Sequence, residues 1–190
     1  MTTTPKTTAR AALSTIAALV IVAAAALVWH NLPTPTDLYG PFEVRGTLDE
    51  PVEGRAITAT VTSVRIAPQV NSVPAAGIWV VIDATIEAPR STELPKADLI
   101  VGPNTYAASD RFFLDTLRAE ISPGIPARGS WVFDVAPSLV EAGASDPLLL
   151  RVWAGSDILD SRLVIDIPAD DPGITRSDEV KLTRPEVSAK

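Results

Sequence analysis

Two spacings of apolar residues divide this chain. From Ala11 to Trp29 (AALSTIAALVIVAAAALVW) the sequence carries no charge, and Ser14 and Thr15 are the only polar residues. A helix of that length is about 28 Å long, close to the ~30 Å hydrocarbon core of a bilayer. From Phe42 onward the spacing becomes period two, the repeat of strands with one face buried. Phe42 and Val44 alternate with Glu43 and Arg45. In Arg55–Ala67, Ile57, Ala59 and Val61 share one parity, while Val64 and Ile66 take the other. A bulge near Thr62 and Ser63 reconciles the two halves.

Gly77–Ala88 (GIWVVIDATIEA) is the clearest strand. Ile78, Val80, Ile82, Ala84 and Ile86 form an apolar face. Trp79, Val81, Asp83, Thr85 and Glu87 form the other, which turns polar toward its end. Short strands are predicted at Leu99–Val101, Thr105–Ala108, Ser130–Ala136, Leu148–Ala154 and Ile158–Ile167. In the last, Leu159, Leu163, Ile165 and Ile167 share a face. Arg111–Leu117 reads as either a strand or one helical turn, and Ser138–Ala142 as a helical turn. Residues 68–77, with two prolines, an asparagine and a glycine, read as a loop. The sum is seven to nine short strands with turn signals between them, the pattern of an immunoglobulin-like β-sandwich. The expected organisation is a tail (1–10), a transmembrane helix (11–29), a proline-rich extended linker (30–41), the sandwich (42–168) and a disordered segment (169–190). That last segment has five acids, four bases and no periodicity.

Composition and charge narrow the partners. The chain carries 16 Lys and Arg against 23 Asp and Glu, for a net charge of −7. Lys6 and Arg10 are the only charges in the first ten residues. The remainder, with 14 basic and 23 acidic residues, does not suit nucleic acid or an anionic lipid surface, both of which need clustered cations. The two N-terminal cations orient the helix with its N-terminus in the cytoplasm and the domain outside. A cleaved signal peptide has the same order of parts. Against cleavage, the apolar run is longer than a usual signal, and it ends in Leu27, Val28 and Trp29, which suits an interfacial anchor. Cysteine is absent, which removes disulfides, thiol chemistry and cysteine-linked lipid.

The succession TSVRIA, GIWVVIDATIEAP, ISPGIPARGSWVFDVAP, LLLRVW and LVIDI resembles a family of immunoglobulin-like domains of unknown function. That family occurs in bacterial lipoproteins and membrane-anchored envelope proteins of the actinobacterial type, and is similar in fold to a small secreted mycobacterial antigen. The resemblance covers about Arg55–Ile167. It implies a sandwich and an envelope location, and it carries no catalytic residues with it.

Candidate chemistry is sparse. The one histidine, His30, ends the apolar run, so no Ser-His-Asp triad or multi-histidine metal site fits within the domain. Lys96, Lys181 and Lys190 are the domain's lysines and lie in loop or tail sequence. Asp83 and Glu87 sit ~13 Å apart along one strand, too far for a carboxylate pair from that strand alone, and read as solvated positions. Asp157, Asp160, Asp166, Asp170 and Asp171 lack the spacing of a calcium loop. No catalytic, cofactor-binding or metal site is expected. Trp79 and Val81, on the wrong parity for the core, are candidates for an exposed partner-binding patch together with Trp153. The expectation is a non-enzymatic, single-pass membrane protein. Its extracytoplasmic domain would bind a membrane or envelope protein complex as an accessory subunit. The alternative is a carrier or sensor of an envelope lipid, glycan or other small molecule.

Overall fold

The computed structural model describes residues 6–32, 39–156 and 158–187, with side chains from residue 14 onward. The chain forms two units, Met1–Tyr39 and Gly40–Lys190. The first contains one helix, α1 (Lys6–Asn31). Its stretch Ser14–Asn31 has a mean hydropathy of 1.7 and is long and apolar enough to cross a membrane by length and composition. The side chains of this stretch are exposed, and a helix that is apolar all round calls for a non-aqueous cover. Residues 33–38 of the expected linker lie outside the described residues.

The second unit is an all-β sandwich of two sheets. Its strands are β1 (Phe42–Thr47), β2 (Val52–Glu53), β3 (Thr58–Val70), β4 (Val73–Glu87), β5 (Pro95–Val101), β6 (Asn104–Ala107), β7 (Ala127–Val135), β8 (Leu148–Ala154), β9 (Ser161–Ile167), β10 (Ile174–Arg176), β11 (Glu179–Val180) and β12 (Glu186–Val187). One sheet runs β1-β9-β8-β5-β6, and the other runs β10-β3-β4-β7-β12 with β2 and β11 also on β3. Pairing is antiparallel except for β1 on β9 and for β10 and β11 on β3.

The core follows the parity of the sequence. Val80, Ile82, Ala84 and Ile86 of β4 and Trp131, Phe133 and Val135 of β7 face Leu99, Leu150, Val152, Leu163, Ile165 and Ile167 of the other sheet. The Trp131 Nε1–H donates to the carbonyl of Leu117 at 3.0 Å, which satisfies the one polar atom of a buried ring. The register of β3 on β4 slips between Val61 and Ser63, so both halves of β3 keep their apolar residues inward. Leu159 departs from its expected face: it stands exposed at φ 50°, before β9 begins.

Two stretches differ from the sequence reading. Residues 68–77 are strand rather than loop, apart from Asn71 and Ser72. Those two residues take φ of 47° and 63° and close a two-residue hairpin in which Val70 pairs Val73. Positive φ at both central positions matches the right-handed twist of the strands. Pro68 falls at the register shift between Ala67 and Gln69, where the ladder can spare its missing donor.

Residues 169–187 are ordered rather than disordered. β10 and β11 add to the outer edge of β3 and β12 adds to β7. These strands are two or three residues long and have no apolar face of their own, so they leave no periodic signature. They take their order from the edges they complete.

Candidate functional site

The expected patch is not exposed. Trp79 is 1% exposed and Val81 fully buried. They form a second, smaller core on the outer face of the β3-β4-β7 sheet with Ala67, Val70, Phe112, Val132 and Val180. Phe112 meets the Trp79 ring edge-on, with centroids 5.3 Å apart, and the Trp79 Nε1–H donates to the Val73 carbonyl at 2.9 Å. The parity reading of both residues is right, but the cover comes from residues 109–117 and the C-terminal segment. Ser109 and Leu117 donate backbone N–H groups to Val132 and Ser130 of β7 at 2.7 and 2.9 Å, which lays that loop across the sheet. Trp153 is half-buried on the outer face of the other sheet, with the Arg162 guanidinium 5.5 Å from its ring centre. It lines a small cavity of about 190 Å³ with Lys96 and Arg118.

Beyond the second core the same face becomes polar, and Asp83 is its centre. The slip at Val61/Ser63 sets Ser63 opposite Asp83, and Asp83 opposite Ser130. Asp83 Oδ2 accepts from the Ser63 hydroxyl at 2.6 Å. Its Oδ1 accepts from the Ser130 hydroxyl and from Arg65 Nη2, each at 2.6 Å. The Asp83 main-chain carbonyl accepts from Thr62 at 3.3 Å. Asp83 and Arg65 are each less than a third exposed. A charge-assisted network this close to the interior is stronger than a solvated pair. Asp83 is therefore not the solvated strand position that its spacing suggested.

Above this network lies a basin of about 410 Å³. Arg128 of β7 and the C-terminal residues Thr183, Arg184 and Glu186 form its rim. Arg65 Nε is buried without a hydrogen-bond partner. Arg184 has one distant ion pair, with Asp115 at 3.9 Å.

A second concavity, about 270 Å³, adjoins the basin at Arg184. Phe113, Leu114, Leu117, Ile121, Pro185 and Val187 give it an apolar lining. Phe113 (59% exposed), Leu114 (70%) and Val187 (68%) stand out from the domain, and the Arg118 guanidinium lies 5.8 Å from the Phe113 ring centre. This groove was not legible in the sequence. Its residues come from a 3-10 turn at Phe113–Asp115 and from a segment with no strand pattern.

The other sequence candidates are dispersed. The Lys96 ammonium donates to the Gly155 carbonyl at 2.8 Å. Asp160 receives both Arg55 Nε and Nη2, at 2.9 and 2.6 Å. The hydrogen bond from Arg55 holds the Asp160 carboxyl below the usual carboxylate range, with the Ser161 N–H helping and partial burial opposing. Asp171 Oδ1 accepts from the Gly173 N–H at 2.7 Å. Asp157 and Lys190 lie outside the described residues. Among the described residues no three of His, Asp and Glu gather as a metal site would require.

No family model matches this chain, and no curated protein matches it in sequence. Solved structures are similar in fold. A putative lipoprotein of Bacillus subtilis superposes with a TM-score of 0.50 at 9% identity, over 67% of this chain and 40% of its own. An uncharacterised β-sandwich protein of Clostridium difficile gives 0.43 at 13% identity, over 70% of this chain and 99% of its own. The secreted protein MPT63 of Mycobacterium tuberculosis gives 0.45 at 17% identity, over 66% and 98%. The chain thus spans 40% of the length of the Bacillus protein. At 9% identity the likeness shows the sandwich and nothing finer.

Proposed function

We propose that this chain is a non-enzymatic module held in the cytoplasmic membrane by α1. Its sandwich would lie outside the cytoplasm and bind another protein of a membrane or envelope complex as an accessory subunit. The observation that carries this reading is the apolar groove at Phe113, Leu114 and Val187. These three large apolar side chains stay exposed on a domain that covers even the misplaced parity of its strongest strand. Clustered apolar exposure of this kind marks contact surfaces more often than scattered residues do. The groove replaces Trp79 and Val81 as the expected contact. The length and apolarity of Ser14–Asn31 and the cations Lys6 and Arg10 support the envelope setting. Trp131, Phe133, Ile82, Leu99 and Leu150 occupy the space between the sheets at 1% exposure or less. That packing favours a surface contact over a carrier with its ligand between the sheets.

The test is extraction in a mild non-ionic detergent followed by affinity purification of the wild type and of Phe113→Asp and Leu114→Asp. A membrane or envelope protein should accompany the wild type and be lost from both variants at unchanged thermal stability. Recovery of the wild type alone at monomer size would sink the reading. So would a companion indifferent to both substitutions.

A further inference from the structure

The basin over Asp83 invites a reading independent of the apolar groove. Three guanidiniums reach it from separate parts of the chain: Arg65 from β3, Arg128 from β7, and Arg184 from the residues before β12. The two carboxylates present are Asp83 and Glu186. Both oxygens of Asp83 are already taken by Ser63, Ser130 and Arg65, so that acid faces the protein. Arg65 is matched by it through Nη2, while its Nη1 makes only a 3.5 Å contact with the Lys181 carbonyl. Arg128 makes no ion pair among the described residues, and Arg184 makes only the 3.9 Å contact with Asp115.

We propose that this basin binds a phosphate group. A carboxylate offers two oxygens in a plane and is served by a single guanidinium fork. A phosphate sets its oxygens tetrahedrally rather than in one plane, four of them free in inorganic phosphate and two in a phosphodiester, which suits arginines approaching from separate elements. A volume of about 410 Å³ exceeds a bare phosphate and leaves room for the group that bears it. Two sources share this chemistry: free phosphate and the phosphodiester headgroup of a glycerophospholipid. Glu186 on the rim opposes both.

The experiment is calorimetric titration of the full chain in dodecyl maltoside micelles, at constant ionic strength set with chloride. One arm uses inorganic phosphate. The other uses glycerophosphoglycerol, the headgroup of phosphatidylglycerol without its chains. Saturable binding in either arm is expected, and the tighter arm identifies the source. Arg128→Gln and Arg184→Gln, both at exposed positions, should each weaken it about tenfold, the scale of one lost charge-assisted hydrogen bond. Glu186→Gln should tighten it, and Arg90→Gln, in the loop after β4 and not among the residues lining the basin, should leave it unchanged. Titrations no different from chloride in both arms would overturn the proposal. So would affinities that ignore Arg128 and Arg184.

Discussion

Asp83 shows how a residue's role depends on its neighbours across strands. Along its own strand it is one polar residue in an alternation, and the plain expectation is a solvated side chain. The parity break in β3, visible in the sequence as Val61 followed by Val64, holds the missing signal. A bulge there puts Thr62 and Ser63 in reach of the outer face together and brings Arg65 diagonal to Asp83. Which strand lies beside β3 is not written locally, so the pairing could not be read. Asp83→Ala would strip the acceptor from Ser63, Ser130 and Arg65 at once. It should cost about 2 kcal/mol, read as a lower urea midpoint at unchanged m-value; an unchanged midpoint would mean that the network contributes nothing net.

A second residue-scale prediction concerns acid. Asp160 is held below its ordinary range chiefly by the hydrogen bond from Arg55, and Arg55 is raised by the same bond. A depressed carboxylate contributes stability above its unfolded pKa of about 3.9 and loses that contribution as pH falls through the folded value. Arg55 stays charged throughout, so the pH dependence belongs to Asp160. Melting temperature followed downward from pH 6 should fall less steeply in Arg55→Ala than in the wild type, with the curves converging in acid. Parallel curves would show that the pair is not coupled to folding.

At the scale of elements, strands with a sustained alternation were legible, and strands that borrow their order were not. β4, β7, β8 and β9 each carry enough apolar residues on one parity to declare a buried face. β10, β11 and β12 do not, and neither does the segment 109–117 across β7. Yet these weak elements bury Trp79 and Val81 and build both concavities. Trp79 signalled by its parity that something must cover it; nothing in its strand says whether a loop, a tail or another protein does so.

Removing residues 178–190 tests this division of labour. It takes away Val180, buried in the same cluster as Trp79, and Leu182, whose N–H donates to Asn71 Oδ1 at 2.9 Å. Burying one aliphatic side chain is worth ~1.5–3 kcal/mol. The truncated chain should therefore unfold earlier by at least that amount and show red-shifted tryptophan emission before unfolding. Unchanged emission and stability would mean that the segment carrying Arg111 and Phe112 covers the ring by itself.

For the whole molecule, the tethered reading turns on the helix and the sandwich remaining one chain in the cell. At the centre of a span each Leu, Ile or Val favours insertion by about 0.3–0.6 kcal/mol, and a charge opposes it by about 2.5–3.5. The stretch from Ala11 to Trp29 has many of the former and none of the latter, so insertion is favourable whichever fate follows. Retention depends on what comes after insertion. The alanines at 23–26 offer small residues of the kind a signal peptidase accepts, but Leu27, Val28 and Trp29 extend the apolar run past them. A site buried at membrane depth is out of reach of an enzyme working at the surface. Protein purified from membranes should therefore have an intact mass that includes residues 2–29, and should resist extraction by alkaline carbonate. Lys6→Glu together with Arg10→Glu should leave it in the membrane but reduce the fraction whose domain is digested by protease added outside spheroplasts. A mature chain starting near Ala26 and released by carbonate would remove the anchor. The phosphate basin could then serve a free domain, while an accessory subunit tethered beside a membrane partner would lose its physical basis.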